Sequence, residues 1–281
     1  MPTAPRMTDT AALARHRARS DPAALFLHDA AALEIEERLT EVNRSFTRPA
    51  VVTGHPAFWS ARFPQATIVP DDEVLALTPG AHDLVIHAMA LHWANDPVGQ
   101  IVQCRHALRP DGLFLGAALG GQTLAELRAA LAEGESRVAG GLSPRVAPMA
   151  EIRDWGGLLQ RAGMALPVAD TLPLTASYGD MMGLLRDLRA MGETNAMQDR
   201  LRRPTRRAVF AAASDIYARA FPDPDDPARI RATFELAFLT GWAPSDSQQK
   251  PLRPGSAKAR LADALGTPER PAGDPASSGP V

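Results

Sequence analysis

Three features predict an α/β chain built on a reduced doubly wound sheet, with a helical insertion and a C-terminal helical part. The first is "AVVTG", Ala50 to Gly54, a short unbroken apolar run that stops at glycine, as a strand covered on both faces does. The second is the succession "HDLVIHAMALHW", "NDPVGQIVQCRHALRP", "LFLGAALG". Strand, helix and strand in that order make the βαβ unit of a parallel sheet. The third is composition. With 45% hydrophobic and 22% charged residues among 281, the chain can bury a core of one large domain, or of one domain and a smaller appendage.

In order along the chain, residues 1–20 are expected to be mobile, with a fraying helix around Ala11–Arg19. One domain is expected over 21–257, with core segments 47–121 and 142–176 and a helical lid at 178–243. A disordered tail, rich in Pro, Gly and Ser, follows at 258–281. From Asp21 to Phe46, Leu25, Leu33, Leu39 and Val42 recur among charged residues and predict an amphipathic helix. "FWSARF" reads as a short helix and "ATIVP" as a second strand. His82 to Trp93 is the clearest strand, apolar from Leu84 to Ile86 and again from Ala88 to Leu91. The helix after it has an Asn or Asp cap, Pro97 in its first turn and Pro110 as a stop, and "DG" at 111–112 turns the chain into the next strand.

"GGQTLAELRAALAE" opens another helix, where Thr123 and Glu126 have capping-box spacing. "APMAEIRDWGGLLQRAGM" is a helix stopped by glycine, and "LPVADTLPLT" a strand. The remainder to residue 243 reads as helical, apart from the loop "FPDPDDP".

Several function classes are disfavoured. A net charge of −2 offers no bulk attraction for nucleic acid, and none is expected as a partner. The basic runs "RHRARS" and "RLRRPTRR" read as solvated helix faces. Cys104 is the single cysteine, which leaves no disulfide framework or thiolate cluster. No apolar run reaches the roughly 18 residues of a membrane span, and the first twenty residues lack the apolar stretch of a secretory signal. A soluble, cytoplasmic protein with no membrane insertion is the expectation.

The seven histidines, at 16, 28, 55, 82, 87, 92 and 106, include no i, i+4 pair with a helical glutamate, so no metal is expected. His87 and His92 are five apart on the predicted strand and point to opposite faces. His92, at its tip, is the general-base candidate by position, with a pocket-lining or core role as the alternative. No Ser-His-Asp or Cys-His arrangement is visible, which argues against a hydrolase. Ser143 and Tyr178 are candidates for substrate contact.

The run from Asp71 to Gly121, with its acidic turn, its strand ending near His92–Trp93 and its helix closed by "LRPDG", resembles the second half of a class I S-adenosylmethionine-dependent methyltransferase domain. The wider pattern "LHWANDP … LRPDG … GGQTLAELR … GGLSPRVAP … DLRAMGETNA … GWAPSDSQ" is similar to the branch holding malonyl-acyl-carrier-protein methyltransferase and, more closely, bacterial relatives of a mitochondrial respiratory complex I assembly factor. That resemblance runs from about Leu27 to Ala257. It implies a Rossmann-like sheet with S-adenosylmethionine at the strand ends. The adenine-facing acid falls on Asp71, with Asp72 and Glu73 beside it, and Leu91, His92 and Trp93 wall the pocket. Ligands of open α/β sheets do sit at the carboxyl ends of the strands.

Two departures from the family's pattern bear on the cofactor. Its glycine-rich loop carries an acid and three glycines, whereas here Val51-Val52-Thr53-Gly54-His55-Pro56 keeps Gly54 alone, and Pro56 removes an N–H donor. Val52 to Asp71 is only 71 − 52 = 19 residues, and a βα pair takes most of about 20. The family's second strand, with its ribose-holding acid, therefore has no room.

Three readings follow. The first is a methyltransferase-like protein with an eroded cofactor site, modifying or chaperoning a respiratory subunit, with arginine hydroxylation among the family's activities. The second is a working methyltransferase acting by in-line displacement on a small-molecule, acyl-carrier or protein substrate. The third is a non-enzymatic binding module. The shortened sheet also predicts a homodimer or a protein complex that covers what the missing strand leaves open.

Overall fold

A computed structural model of the chain describes residues 6–248 and 266. The chain divides into two units, Met1–Ser245 and Asp246–Val281, and every element named here lies in the first. Apart from Gly266, the expected tail at 258–281 falls outside the described residues.

Six strands form one sheet: β1 (Pro49–Thr53), β2 (Thr67–Val69), β3 (His82–Ala88), β4 (Leu108–Leu119), β5 (Ala165–Tyr178) and β6 (Ile230–Trp242), in the order β2-β1-β3-β4-β6-β5. The first four are parallel, with Val51 opposite Ile68 on one side and Ile86 on the other. β6 runs antiparallel to both β4 and β5. The sheet is thus the reduced doubly wound one that the sequence predicts, and β2 lies directly beside β1 with no strand between them.

Helices cover both faces. On one side Val51, Ile86, Leu115 and Phe238 pack with α2 (Phe26–Glu41), α5 (Ala125–Ala139), α7 (Met181–Met191) and α8 (Arg207–Ala220). On the other, Val52, Val85, Phe114 and Leu239 pack with Ile101 and Cys104 of α4 (Pro97–Ala107) and Leu159 of α6 (Ile152–Arg161). Successive β1 residues feed opposite cores because strand side chains alternate. Each core is apolar burial of the kind that dominates folding. α5 and α8 approach closely at Gly134, where an added Cβ would lie 2.8 Å from the Ala213 backbone nitrogen.

α4 forms where the sequence places it. Pro97 opens the helix, and the Asp96 carboxylate accepts from the Gly99 N–H at 2.8 Å. α3 (Pro56–Arg62) and β2 also stand as expected.

Other expectations are corrected. The segment 178–243 is not wholly helical: its last part is β6, an interior strand with Phe234, Leu236, Ala237, Phe238 and Leu239 buried. Residues 10–17, expected to fray, form helix α1 (Thr10–Arg17), with Ala12 and Leu13 buried and Asp9 capping the Ala12 N–H. The α2 stripe is Leu27, Ala31, Ala32 and Ile35, while Leu33 is 58% exposed. β3 ends at Ala88, and Leu91–Trp93 is a 3-10 turn. Thr123 and Glu126 form no capping box. The Thr123 hydroxyl accepts from the Glu235 N–H, and Glu126 accepts from the Thr233 hydroxyl. The neighbouring β6 backbone and side chain claim both groups, and α5 starts at an uncapped, left-handed Leu124 (φ 55°).

Candidate functional site

The carboxyl ends of β1, β2 and β3 open on the same side of the sheet, followed by Gly54, by Asp71 and by the turn Leu91–Trp93. α1 lies across this opening. A Cβ built on Gly54 would overlap Nη1, Cζ and Nε of Arg17, so the guanidinium rests where a side chain would otherwise begin. Arg17 Nη1 donates to both oxygens of Asp71, at 2.9 and 2.7 Å. The two side chains are only 8% and 14% exposed. Nε and Nη2 of Arg17 are buried and have no hydrogen-bond partner among the described residues.

Behind this pair, the Gln100 side chain donates to the carbonyls of Asp71 and Asp72, at 3.3 and 3.0 Å, and its Oε1 meets His87 Nε2 at 2.8 Å. His87 is fully buried, and burial drives its pKa down to about 4 against the opposing hydrogen bond from Gln100. This relay ties the acidic turn to β3. The Asp72 residue itself is exposed.

The Arg17–Asp71 pair stands between two cavities. One, of about 300 Å³, also reaches Leu13, Trp93 and Asn95, and the other, of about 440 Å³, reaches Ala14, Gly54 and Val69. These are the spaces where the resemblance puts S-adenosylmethionine. In the present arrangement the residues do not fit it: both oxygens of Asp71 are taken by Arg17, and the open face of Gly54 is covered.

Trp93 and His92 turn toward a second feature, Glu193. This residue follows α7 and its left-handed cap Gly192 (φ 82°), where an added Cβ would sit 3.1 Å from the Arg17 backbone. Trp93 Nε1 donates to Glu193 Oε2 at 2.7 Å, and His92 Nε2 lies 3.3 Å from the same oxygen. The Leu119 N–H donates to His92 Nδ1 at 3.3 Å. Both nitrogens of His92 are therefore engaged, and acting as a base would break one of these bonds. Burial acts to raise the Glu193 pKa, but the His92 and Trp93 hydrogen bonds and the charge of Arg17 hold it below the usual carboxylate range.

Glu193 lines a mostly apolar cavity of about 190 Å³ with Leu27, Leu119, Leu127, Leu188 and Phe234, and Arg145, which is paired with Glu135, also stands in its wall. Thr194 and Asn195 border it beside the carboxylate. Its Oε1 accepts no hydrogen bond from a described residue.

His28, His55 and Glu193 bring one ligand atom each within 4.8 Å of the others. Trp59 Nε1 donates to His28 Nδ1 at 3.1 Å, so the proton of the neutral ring sits on Nε2. Burial, and then His55, push its pKa down to about 3.

Of the residues expected to hold the cofactor, the structure gathers Gly54 and Asp71 around Arg17, with Trp93 at the edge of the same space, whereas His92 is turned away. Sequence reasoning missed Arg17, His28, His55 and Glu193. A signal existed for Glu193, which lies within the "DLRAMGETNA" stretch. Ser143 and Tyr178 do not meet at this site: Ser143 binds Glu135, and Tyr178 lies on the edge strand β5. No described helix is long and apolar enough to cross a membrane.

No family model matches the chain. Among curated proteins, it is 35% identical over 232 residues to the mitochondrial arginine-hydroxylase NDUFAF5 of Danio rerio, covering 82% of this chain and 69% of that protein. It is 40% identical over 197 residues to the Dictyostelium discoideum protein of the same name, covering 70% of this chain and 45% of that one. It is 33% identical over 195 residues to the malonyl-[acyl-carrier protein] O-methyltransferase of Laribacter hongkongensis, covering 69% and 62%. The chain thus spans between about half and about two thirds of these relatives. Among solved structures, the YcgJ protein of Bacillus subtilis aligns with a TM-score of 0.47 at 12% identity, over 77% of this chain and 99% of that one.

Proposed function

Because the chain belongs to the class I S-adenosylmethionine-dependent methyltransferase superfamily, in the branch that holds the NDUFAF5 proteins and malonyl-acyl-carrier-protein methyltransferases, we propose that it seats an arginine side chain of a protein partner, a respiratory subunit, in the Glu193 cavity. The observation that carries this reading is a buried carboxylate in the wall of a mostly apolar cavity, fixed there by Trp93, while the one arginine in that wall, Arg145, is already paired with Glu135.

A guanidinium on an aliphatic stem matches both ends of such a space. The methylenes pack on leucine, and the charged head meets a carboxylate whose second oxygen is open. A buried carboxylate that lacks a full partner is costly, so an incoming cation gains more there than at a surface. The relatives named arginine-hydroxylase make arginine the first side chain to try.

The test is calorimetric titration with N-acetyl-arginine methylamide and with its uncharged citrulline counterpart. Saturable binding of the arginine compound, weakened at least tenfold by Glu193→Gln, supports the reading. Equal binding of the citrulline compound overturns it.

A second reading, a working S-adenosylmethionine-dependent methyltransferase, draws on the retained Asp71 at the end of β2 and the two cavities beside it. It requires Arg17 to leave.

A further inference from the structure

Gly54 raises a question that the worn loop alone does not answer: why keep one glycine? In this structure its open face accommodates the Arg17 guanidinium, the group an added Cβ would strike. From this we infer that the chain closes its own cofactor cleft: Arg17, carried on α1, stands in for a ligand between Gly54 and Asp71, and a nucleoside-bearing ligand enters only when α1 is displaced.

Three observations support the inference. Arg17 bonds both oxygens of Asp71, the first acid after β2, and so occupies the side of the carboxylate that an adenine amine would approach. The pair separates the 300 Å³ and 440 Å³ cavities, and both have Arg17, Asp71 and Asp72 in their walls.

The bond is also incomplete. Two of the three guanidinium nitrogens are buried and meet no hydrogen-bond partner among the described residues. α1 is tied at both ends. At its start Arg200 Nη2 donates to Asp9 at 2.8 Å, and the Met7 and Thr8 N–H groups donate to Asn95 at 2.8 and 2.9 Å. Just after Arg17 the Asp21 N–H donates to the Ala190 carbonyl at 2.7 Å, and a Cβ on Gly192 would sit 3.1 Å from the Arg17 backbone. An entering ligand has to break the contacts at the Arg17 end.

The test uses the full chain as wild type, Arg17→Met and Gly54→Ala. Arg17→Met keeps an apolar side chain of similar reach without the charge. Gly54→Ala leaves Arg17 in place but gives it nowhere to lie. Calorimetry with S-adenosylhomocysteine should show Arg17→Met binding at least tenfold more tightly than wild type. Hydrogen exchange of the amides in residues 10–17 should speed up in Gly54→Ala by a similar factor, while the thermal midpoint stays close to that of wild type. An Arg17→Met protein that binds the ligand no better than wild type, or weaker, or not at all, overturns the inference. So does unchanged exchange of α1 in Gly54→Ala. Should Arg17→Met fail to fold, Arg17→Gln carries the ligand readout and Gly54→Ala the exchange readout. The arginine titration uses a different ligand and a different variant, so failure of that reading and failure of this inference are told apart.

Discussion

Trp93 and Glu193, a hundred residues apart in sequence, are joined by a 2.7 Å hydrogen bond from the indole nitrogen to Oε2. Because the acceptor is charged and buried, the bond belongs to the stronger class. Trp93→Phe keeps an aromatic ring but deletes the donor and part of the buried indole, and should destabilise the fold by at least about 1.5–3 kcal/mol. Urea unfolding measures this. A loss under about 0.5 kcal/mol would mean that Glu193 finds its hydrogen bonds elsewhere.

Glu135 predicts an acid-side loss of stability. It accepts from Arg145, whose hydrogen bonds dominate, and from the Ser143 hydroxyl and N–H. Together these draw its pKa from 4.5 to about 2. A depressed carboxylate stabilises fully above its unfolded pKa, and this is lost as pH falls from about 4.5 to about 2. Glu135→Gln should flatten stability against pH in that window. At neutral pH it should cost roughly 3 kcal/mol, since Arg145 loses its charge partner.

His87 and His28 act in a higher window. Both are buried neutral, with pKa values pushed from 6.5 down to about 4 and about 3. The unfolded chain binds their protons first, so stability holds above about pH 6.5 and falls as the pH drops toward 4. Each proton contributes a slope of about 1.4 kcal/mol per pH unit. His87→Gln should remove close to one proton's worth of that slope, read from denaturation midpoints at a series of pH values. An unchanged slope would show that His87 is protonated in the fold.

Gly134→Ala tests the contact between α5 and α8. Alanine ordinarily favours a helix over glycine by about 1 kcal/mol. Here the new methyl would sit 2.8 Å from the Ala213 nitrogen and 3.0 Å from its Cα, and backbone cannot step aside cheaply. A net destabilisation of about 1–3 kcal/mol is expected from the overpacking, again by urea unfolding. A more stable variant would refute the close approach.

The parts of the fold that sequence makes legible are those with local chemistry: β1 ending at Gly54, the Asp96 cap, Pro97 at the head of α4. β6 was read as helix because "FELAFL" is apolar at nearly every position. An interior strand covered on both faces shows no alternation, and periodicity cannot tell it from a buried helix. At the candidate site, Gly54 and Asp71 are visible as a pair because they lie on consecutive strands. Arg17 is not: "RHRARS" looks like a solvated helix face, and its partner lies 54 residues downstream. Glu193 and His28 likewise acquire meaning only when distant elements bring Trp93 and Trp59 to them.

The position of β6 has a consequence for biosynthesis. It is the last strand described, yet it fills the slot between β4 and β5. As the chain leaves the ribosome, the first four strands can assemble early, but β5 has no neighbour until Ile230–Trp242 emerges. Until then one margin of β4 and both margins of β5 carry free backbone groups. Translation arrested before Ile230 should therefore yield a chain that chaperones retain, and completion of β6 is the step that releases it.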